Sequence, residues 1–144
     1  MISIETPRFG KLEVEEDRLF LFPEGLVGLP NLKRFMILDY KDTELQWLQS
    51  VDEPDMAFII VNPFMISEEY QFELPEAART LLEIDDLRDL STYVIIRVES
   101  GKVIANLQGP IVINGRNRKG IQLVLEDTAV NKLNRIVELR RKTE

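Results

Sequence analysis

Segments of alternating apolar and polar residues recur along most of the chain and predict a protein made mainly of β-strands. Near the amino end, Leu12 and Val14 alternate with charged residues, as in a strand that buries one face. About ten such segments stand out, at Ile2–Glu5, Lys11–Glu15, Arg18–Phe22, Phe35–Tyr40, Leu45–Val51, Met56–Val61, Thr92–Glu99, Val103–Leu107, Ile111–Asn114 and Ile121–Leu125. Their near-regular spacing predicts a mainly β fold, a small antiparallel barrel or sandwich-like domain with one or two short helices.

One segment in the middle of the chain has helical spacing instead. Pro75 suits the first turn of a helix, where its missing N–H would have no partner in any case. The apolar residues after it return on one face, at Ala78, Leu81 and Leu82. These features predict a short helix over Pro75–Ile84, and a single helical turn is expected at Asn31–Phe35.

The segment Phe22–Pro30 is expected to be a structured loop. Its two prolines lack the backbone N–H that a central strand donates, and Gly25 and Gly28 permit positive φ angles. No central strand can continue through such a segment, so the chain must turn here.

The chain is expected to form one β domain over residues 1–126, followed by an amphipathic helical tail of the same domain over residues 127–144. A length of 144 residues suits a single hydrophobic core. In the tail, Asp127 or Thr128 can cap a helix. Its apolar side chains share one face, at Val130, Leu133, Ile136 and Val137.

Composition narrows the class of function, because the chain has no cysteine and no histidine. Without cysteine there are no disulfides and no thiolate nucleophiles, and the composition fits a reducing compartment. Without histidine, Ser–His and Cys–His nucleophile systems are excluded and the commonest general base is missing. With no signal peptide or run of about 20 apolar residues, we expect a cytoplasmic protein that is not an enzyme and uses no cofactor, metal or membrane.

Charge is distributed unevenly along the chain. Residues 1–100 carry a net charge of −12, whereas residues 101–144 carry +5. The most acidic stretch is 52–99, with 12 acidic and 3 basic side chains. Because an acidic body repels a phosphate backbone, a basic protein is a better expected partner than nucleic acid.

Two clusters of charged residues are also compatible with functions other than protein binding. Acidic clusters near Asp52 and at 83–89 could serve a carboxylate-dependent β-barrel enzyme or hold a cation, but their spacing does not match a calcium loop and suits solvated turns. Arg116, Arg118 and Lys119 stand in a loop bounded by glycines. With the basic C-terminal region they could make a direct RNA-binding module, or they could form a soluble hairpin turn.

Trp47 and Gln49 lie in an otherwise apolar strand and have two interpretations each. Tryptophan is enriched in interface hot spots, but a lone indole within a strand also suits a core. Gln49 either faces solvent or a partner, or makes buried hydrogen bonds. The sequence does not choose between these alternatives.

Several of these segments together resemble the FliW family of bacterial flagellar assembly factors. The likeness runs from about Met1 to Leu125 and rests on four motifs in the family's order and spacing, which are Phe22–Pro30, Leu48–Val51, Ala57–Pro63 and Asn106–Asn114. Family members often end in an aromatic and basic tail, whereas this chain ends in the amphipathic segment 127–144. The resemblance therefore covers the β domain and leaves the tail aside.

The resemblance implies two partners, flagellin and the translational regulator CsrA. In the family, FliW that has been released from flagellin binds CsrA, and the bound CsrA no longer represses flagellin mRNA. This antagonism is understood to be allosteric. An apolar helical end of flagellin needs a hydrophobic groove, for which the candidates are Phe22, Glu24, Leu26, Val27, Trp47, Leu48 and Gln49. A basic CsrA suits the acidic stretch, where the candidates are Glu68, Glu69 and Glu73.

Overall fold

The computed structural model describes residues 1–126 and 136–137 of the chain. In chain order, the strands are β1 (Ile2–Thr6), β2 (Gly10–Val14), β3 (Phe20–Leu21), β4 (Arg34–Asp39), β5 (Gln46–Ser50), β6 (Ala57–Val61), β7 (Leu90–Glu99), β8 (Lys102–Ala105), β9 (Ile111–Asn114), β10 (Lys119–Gln122) and β11 (Ile136–Val137). The described helices are the α-helix α1 (Glu76–Leu82) and the 3₁₀ helices Glu16–Arg18, Pro63–Met65 and Leu87–Asp89.

The strands form a hairpin and a larger sheet that closes on itself. β1 and β2 make the antiparallel hairpin, in which Ile2 lies opposite Val14. The described strands β3 to β11 follow the order β11-β8-β7-β6-β5-β4-β3-β10-β9, and β9 also pairs with β7. This last pairing closes a ring of strands, so the predicted barrel is observed. Its pairs are antiparallel except for β3 with β10, which are parallel.

The long strand β7 closes the ring. It also pairs with β8, which together with β11 forms a flap outside the ring. Along one edge, its residues from Leu90 to Tyr93 pair with β9. Further along, its residues from Ile96 to Glu99 pair with β8 instead. Because β7 is ten residues long, it can serve both neighbours. β8 therefore extends outside the ring, and β11 pairs with its outer edge.

The barrel interior is filled by side chains of the ring strands and of the segment between β3 and β4. Its buried members are Phe22, Leu26, Leu32, Phe35, Leu48, Ile60, Ile111 and Ile113. The rings of Phe22 and Phe35 meet edge to face, with centroids 5.1 Å apart. Gly120 makes room for them, because a Cβ at that position would lie 2.6 Å from the ring of Phe22. A side chain at position 120 is therefore incompatible with the position of the Phe22 ring.

Three elements cover the outside of the barrel. The β1–β2 hairpin packs over a small buried cluster that contains Met36 and Val51. Tyr70 and its neighbours cover the outward side chains of β6 and β7, including Val61 and Val94. α1 packs with Ala78 against the outward side of β9 and β10. The outer layer therefore supplies its own apolar contacts, separate from the barrel interior.

The sequence predictions for the β domain are largely confirmed. The ten predicted strands correspond to β1 to β10, and the predicted helix corresponds to α1. The helical turn at Asn31–Phe35 is wrong, because the N–H of Phe22 donates to the carbonyl of Lys33 at 2.7 Å and Leu32 is buried. That stretch leads directly into β4. The three 3₁₀ helices of the described residues are not anticipated by the sequence.

The predicted helical tail over 127–144 lies outside the described residues except at Ile136–Val137. There the backbone is strand rather than helix, with Ile136 opposite Ile104 and Val137 opposite Val103 of β8. A pairing between positions more than thirty residues apart cannot be read from local helical spacing. Among the described helices, none has the length and apolar character to cross a membrane.

Candidate protein-binding site

The Phe22–Pro30 loop is held closed by its own backbone. The N–H groups of Leu26 and Leu29 each donate to the carbonyl of the other, at 3.1 and 2.8 Å. Gly25 has a φ of +69°, and a Cβ there would lie 2.6 Å from the carbonyl oxygens of Leu29 and Pro30. Only glycine fits that approach. The loop is therefore rigid and structured, as its composition predicts.

A hydrogen bond fastens the tip of the loop to the barrel. The N–H of Val27 donates to Oε1 of Gln122 on β10 at 2.9 Å, and Nε2 of Gln122 donates to the carbonyl of Gly109 at 3.1 Å. Leu26 points inward with 3% of its surface exposed, whereas Val27 is 55% exposed. Of the two neighbours, only Val27 is available to a partner.

The loop forms one wall of an apolar groove, which we call the loop groove, with a volume of about 460 Å³. Its apolar lining comes from the loop, the barrel and the flap, and includes Leu26, Val27, Leu29, Phe58, Ile95 and Ile104. Arg97 lies at the same groove and is paired with Glu99 at 3.0 Å. Of the residues predicted to bind flagellin, Leu26 and Val27 line this groove. Phe22 lies in the barrel interior, and Glu24 is exposed on the loop outside the groove lining.

The other predicted part of this site, Trp47–Gln49, is buried, with Leu48 in the barrel interior and its two neighbours on the opposite face of β5. Trp47 stacks on Tyr40 with ring centroids 5.1 Å apart, and the guanidinium of Arg8 lies 4.4 Å from its ring. Leu48 is completely buried. Nε2 of Gln49 donates to the carbonyls of Ser50, Pro54 and Met56. These side chains stabilise the barrel and the turn after β5, and they do not join Val27 on one surface.

A second concave region lies on the outer layer, and we call it the acidic cleft. It has a volume of about 640 Å³ and is bordered by residues 70–74, α1 and the start of β7. Phe64 and Leu87 line it and are 47% and 58% exposed, which is high for large apolar side chains. Of the three predicted acidic residues, only Glu73 lines the cleft, and Glu68 and Glu69 are exposed in the turn that precedes it in the chain.

Tyr70 provides a fixed floor for the acidic cleft. Its hydroxyl donates to the carbonyl of Leu107 at 2.7 Å, and only 1% of its surface is exposed. Burial raises the pKa of Tyr70 to about 12, so the phenol stays protonated and keeps donating at neutral pH. Its ring contacts Phe64 and Phe72, with centroids 6.2 and 5.8 Å away. The floor is thus rigid, and the exposed wall residues stand on it.

The carboxylates at the acidic cleft differ from most other acidic groups nearby. In the described part of the chain, no cation lies within salt-bridge distance of Glu68, Glu69 or Glu73. By contrast, Glu83 and Asp85 are each paired with a basic residue at 2.8 Å. Unpaired exposed carboxylates are available to a cationic partner without breaking an internal contact.

The basic segment Arg116–Lys119, which leads into β10, contacts the C-terminal end of α1. Nζ of Lys119 contacts Glu83 and the guanidinium of Arg116 contacts Asp85, both at 2.8 Å. The amides of Asn114 and Asn117 donate to the carbonyl of Leu82, at 2.9 and 3.0 Å. Lys119 lowers the pKa of the Glu83 carboxyl by hydrogen bonding and by its charge. The turn therefore caps a helix, a role that local sequence patterns do not reveal.

Arg118 and Asp52, from the same two groups of charged residues, also have internal partners. The guanidinium of Arg118 lies 4.5 Å from the ring of Phe20 and donates to the carbonyl of Arg18. Asp52 accepts from the N–H groups of Lys33 and Arg34 and from Nε of Arg34, and these bonds outweigh burial and lower its pKa. Within the described residues, no set of three or more acidic side chains is placed to hold a metal ion. These groups organise turns.

Comparison with known proteins gives one consistent result. A protein-family model described as FliW protein matches residues 3–135. The flagellar assembly factor FliW of Caldicellulosiruptor bescii is 41% identical over 121 residues, which cover 83% of this chain and 80% of that protein. The flagellar assembly factor FliW of Leptospira interrogans is 33% identical over 141 residues, which cover 95% of this chain and 94% of that protein.

A solved structure agrees with the sequence comparisons. The crystal structure of a flagellar assembly factor FliW superposes with a TM-score of 0.82 and 30% sequence identity, over 97% of this chain and 96% of that one. The likeness therefore extends over the fold of nearly the whole of both chains. By the family match, its relatives and this fold, the chain belongs to the FliW family.

Proposed function

We propose that this protein is a cytoplasmic flagellar assembly factor that binds flagellin and, when free of flagellin, binds CsrA. CsrA captured in this way would no longer repress flagellin mRNA, through an allosteric effect and without a cofactor. The observation that carries the CsrA half is the exposed carboxylate of Glu73 on the lining of a partly apolar cleft, with Glu68 and Glu69 exposed in the turn just before it in the chain. Family membership supports the proposal as a whole.

The acidic cleft is our candidate surface for CsrA. Its carboxylates can attract a basic protein at long range, and its exposed Phe64 and Leu87 can provide the apolar contacts that hold a complex together. A surface with both features suits a protein partner better than a small ion, because a small ion makes no use of the apolar walls.

The loop groove is our candidate surface for flagellin. An amphipathic helix binds when its apolar face enters a groove with hydrophobic walls. Val27 and Phe58 supply such walls, and Ile95 supplies part of the lining from β7. Within the described part of the chain, no residue lines both the loop groove and the acidic cleft, although β7 contributes Ile95 to the first and Thr92 to the second.

The CsrA surface can be tested with a double charge reversal, Glu68→Lys with Glu69→Lys. We expect the affinity for CsrA to fall by about tenfold at low salt and by less at high salt, because salt screens exposed charges. The matched control is Asp42→Lys with Glu44→Lys, which makes the same change of net charge in the exposed turn between β4 and β5. Equal effects of the two pairs would remove the acidic cleft from this proposal.

The flagellin surface is best tested at Val27. Leu26→Glu would bury a charge, since Leu26 is 3% exposed, and so would report on folding. Val27→Glu places the charge on the groove wall, and we expect it to abolish the pull-down of flagellin while leaving thermal unfolding unchanged. Val124→Glu, at a 66% exposed valine outside the groove lining, is the control. Retained flagellin binding by Val27→Glu would exclude the groove.

A competition pull-down tests the exchange of partners. Immobilised protein is loaded with CsrA and then given increasing flagellin, and the bound fraction of each is measured. Release of CsrA in proportion to bound flagellin is the expected result. Because the two candidate surfaces share no lining residue among those that the structure describes, such release would require coupling between them. A stable ternary complex would rule out an exclusive switch.

The two alternative functions have less support from the geometry. A direct RNA-binding module would use Arg116 and Lys119, but both cations are already paired with carboxylates of the α1 end. A carboxylate enzyme needs an acid with a raised pKa, whereas the pKa values of Asp52, Glu83 and Asp86 are lowered. The FliW relatives are named for flagellar assembly and not for a catalysed reaction.

A further inference from the structure

The segment Gln71–Leu74, beside the acidic cleft, has the side-chain pattern of a strand but pairs with no strand of the described residues. Gln71 and Glu73 are exposed, whereas Phe72 and Leu74 are half-buried against the outer clusters, a period of two. The proline that follows biases Leu74 toward an extended conformation. The segment is thus shaped like the edge of a sheet.

The backbone of this segment has no hydrogen-bonded partner in the part of the chain that the structure describes. Within the described residues, the main-chain bonds on either side are Tyr70 N–H to Ser67 and Arg79 N–H to Pro75, and none reaches the four positions between them. All four residues line the acidic cleft, so the cleft runs alongside their free main chain. Unpaired strand-like backbone beside a groove is the feature that peptides use when they bind by strand addition.

The walls of the cleft indicate the side chains that such a peptide would carry. Phe64 and Leu87 offer exposed apolar surface for an apolar side chain that points into the cleft. Glu73 and Arg79 are the charged residues of the lining, and Glu68 and Glu69 are exposed in the turn that leads into Tyr70. The excess of acidic groups favours basic side chains on the solvent side of the peptide.

We propose that the acidic cleft binds an extended, cationic segment of a partner protein by adding it as a strand to Gln71–Leu74, with an apolar side chain between Phe64 and Leu87. This inference rests on the proposed function, since it gives the chemistry of the CsrA segment that the acidic surface would receive. An extended segment fits better than a helix because a helix has no free main-chain groups to pair with these four residues.

Binding of CsrA to the full chain tests the apolar contact. The variant Phe64→Ser with Leu87→Ser should bind CsrA at least about tenfold more weakly, because the anchoring side chain loses both walls. The control, Val98→Ser with Val124→Ser, changes two exposed valines outside the cleft and should bind within about twofold of the parent chain. Both affinities can be measured by titration calorimetry.

Amide exchange measured by NMR tests the strand addition itself. The four amides of Gln71–Leu74 should exchange fast in the free protein, and on binding CsrA alternate amides, 71 and 73 or 72 and 74, should become protected. If CsrA binds but no alternating protection appears, or the cleft variant binds normally, this inference is wrong while the proposed function stands. If the parent chain does not bind CsrA at all, the proposed function fails and this inference fails with it.

Discussion

The loop groove and the acidic cleft are both apolar depressions beside β7, but they are built from different parts of the molecule. The loop groove is walled by residues such as Leu26 and Phe58 that also pack against the barrel core. The acidic cleft is walled by Phe64 and Leu87, which stand on the outer layer and are largely exposed. A change at Leu26 or Phe58 therefore risks the fold, whereas a change at Phe64 or Leu87 should affect binding alone.

The two regions also differ in their backbone. In the loop, the N–H groups of Gly25, Leu26, Val27 and Leu29 donate to carbonyl or side-chain oxygens within the protein. Beside the cleft, the main chain of Gln71–Leu74 has no such bonds within the described residues. A groove with satisfied backbone can select a partner only through side chains, whereas the cleft can also use main-chain pairing.

Two phenylalanines give the largest expected contrast between the regions. Phe22→Ala should lower the free energy of unfolding by about 3–5 kcal/mol, because it leaves a cavity in the barrel interior. Phe64→Ala should change it by no more than about 0.5 kcal/mol, because Phe64 is 47% exposed. Urea unfolding followed by the fluorescence of Trp47, the single tryptophan, measures both. Similar losses would show that the cleft wall belongs to the core.

Gly120→Ala tests the close packing behind the loop. The added methyl group would lie 2.6 Å from the Phe22 ring, so we expect a loss of about 1–3 kcal/mol from overpacking. In a Phe22→Leu background the same substitution should cost less, because the smaller side chain leaves room. A double-mutant cycle measures this coupling, and strictly additive effects would contradict it.

Tyr70→Phe tests the floor of the acidic cleft. It removes the hydrogen bond to the carbonyl of Leu107, and we expect a loss of about 1 kcal/mol at neutral pH. Burial in the folded protein raises the pKa of Tyr70 from 10.0 to about 12. The stability that the protonated phenol contributes is therefore complete below pH 10 and is lost as the pH rises from 10 to about 12. The parent chain should therefore lose more stability than Tyr70→Phe between pH 10 and 12, measured by thermal unfolding. An identical alkaline profile would contradict the assignment.

Asp52→Asn should cause a smaller loss of stability than Tyr70→Phe. Asp52 accepts hydrogen bonds from Lys33 and Arg34, where the chain leaves the Phe22–Pro30 loop. The pKa of Asp52 is lowered from 3.8, so its ionised form stabilises the folded state above that pH and the contribution is lost as the pH falls below it. We expect a loss of less than about 1 kcal/mol at pH 7, since the pair with Arg34 is partly exposed. Acid unfolding of Asp52→Asn should be less steep than that of the parent chain below pH 4. An unchanged slope would show that Asp52 does not anchor this end of the loop.

Local pattern was sufficient for the secondary structure of the β domain and for the location of exposed charge. Alternation indicates strands because successive side chains face opposite sides, and so β1 to β10 could be placed. Glu68, Glu69 and Glu73 could be expected on a surface because burying an unpaired carboxylate is costly. Apolar residues gave no such guide, since Trp47 and Val27 look alike as interface candidates and only Val27 is well exposed.

The amino-acid sequence by itself therefore determined the elements, the structured Phe22–Pro30 loop and the acidic character of the region 52–99. The tertiary structure decided which of those residues meet. The β7–β9 pairing that closes the barrel, the contact of Lys119 with Glu83 and the unpaired backbone of Gln71–Leu74 all depend on long-range packing. The physical reason is that local periodicity reports only whether a side chain is buried, whereas its partner is set by chain segments distant in sequence.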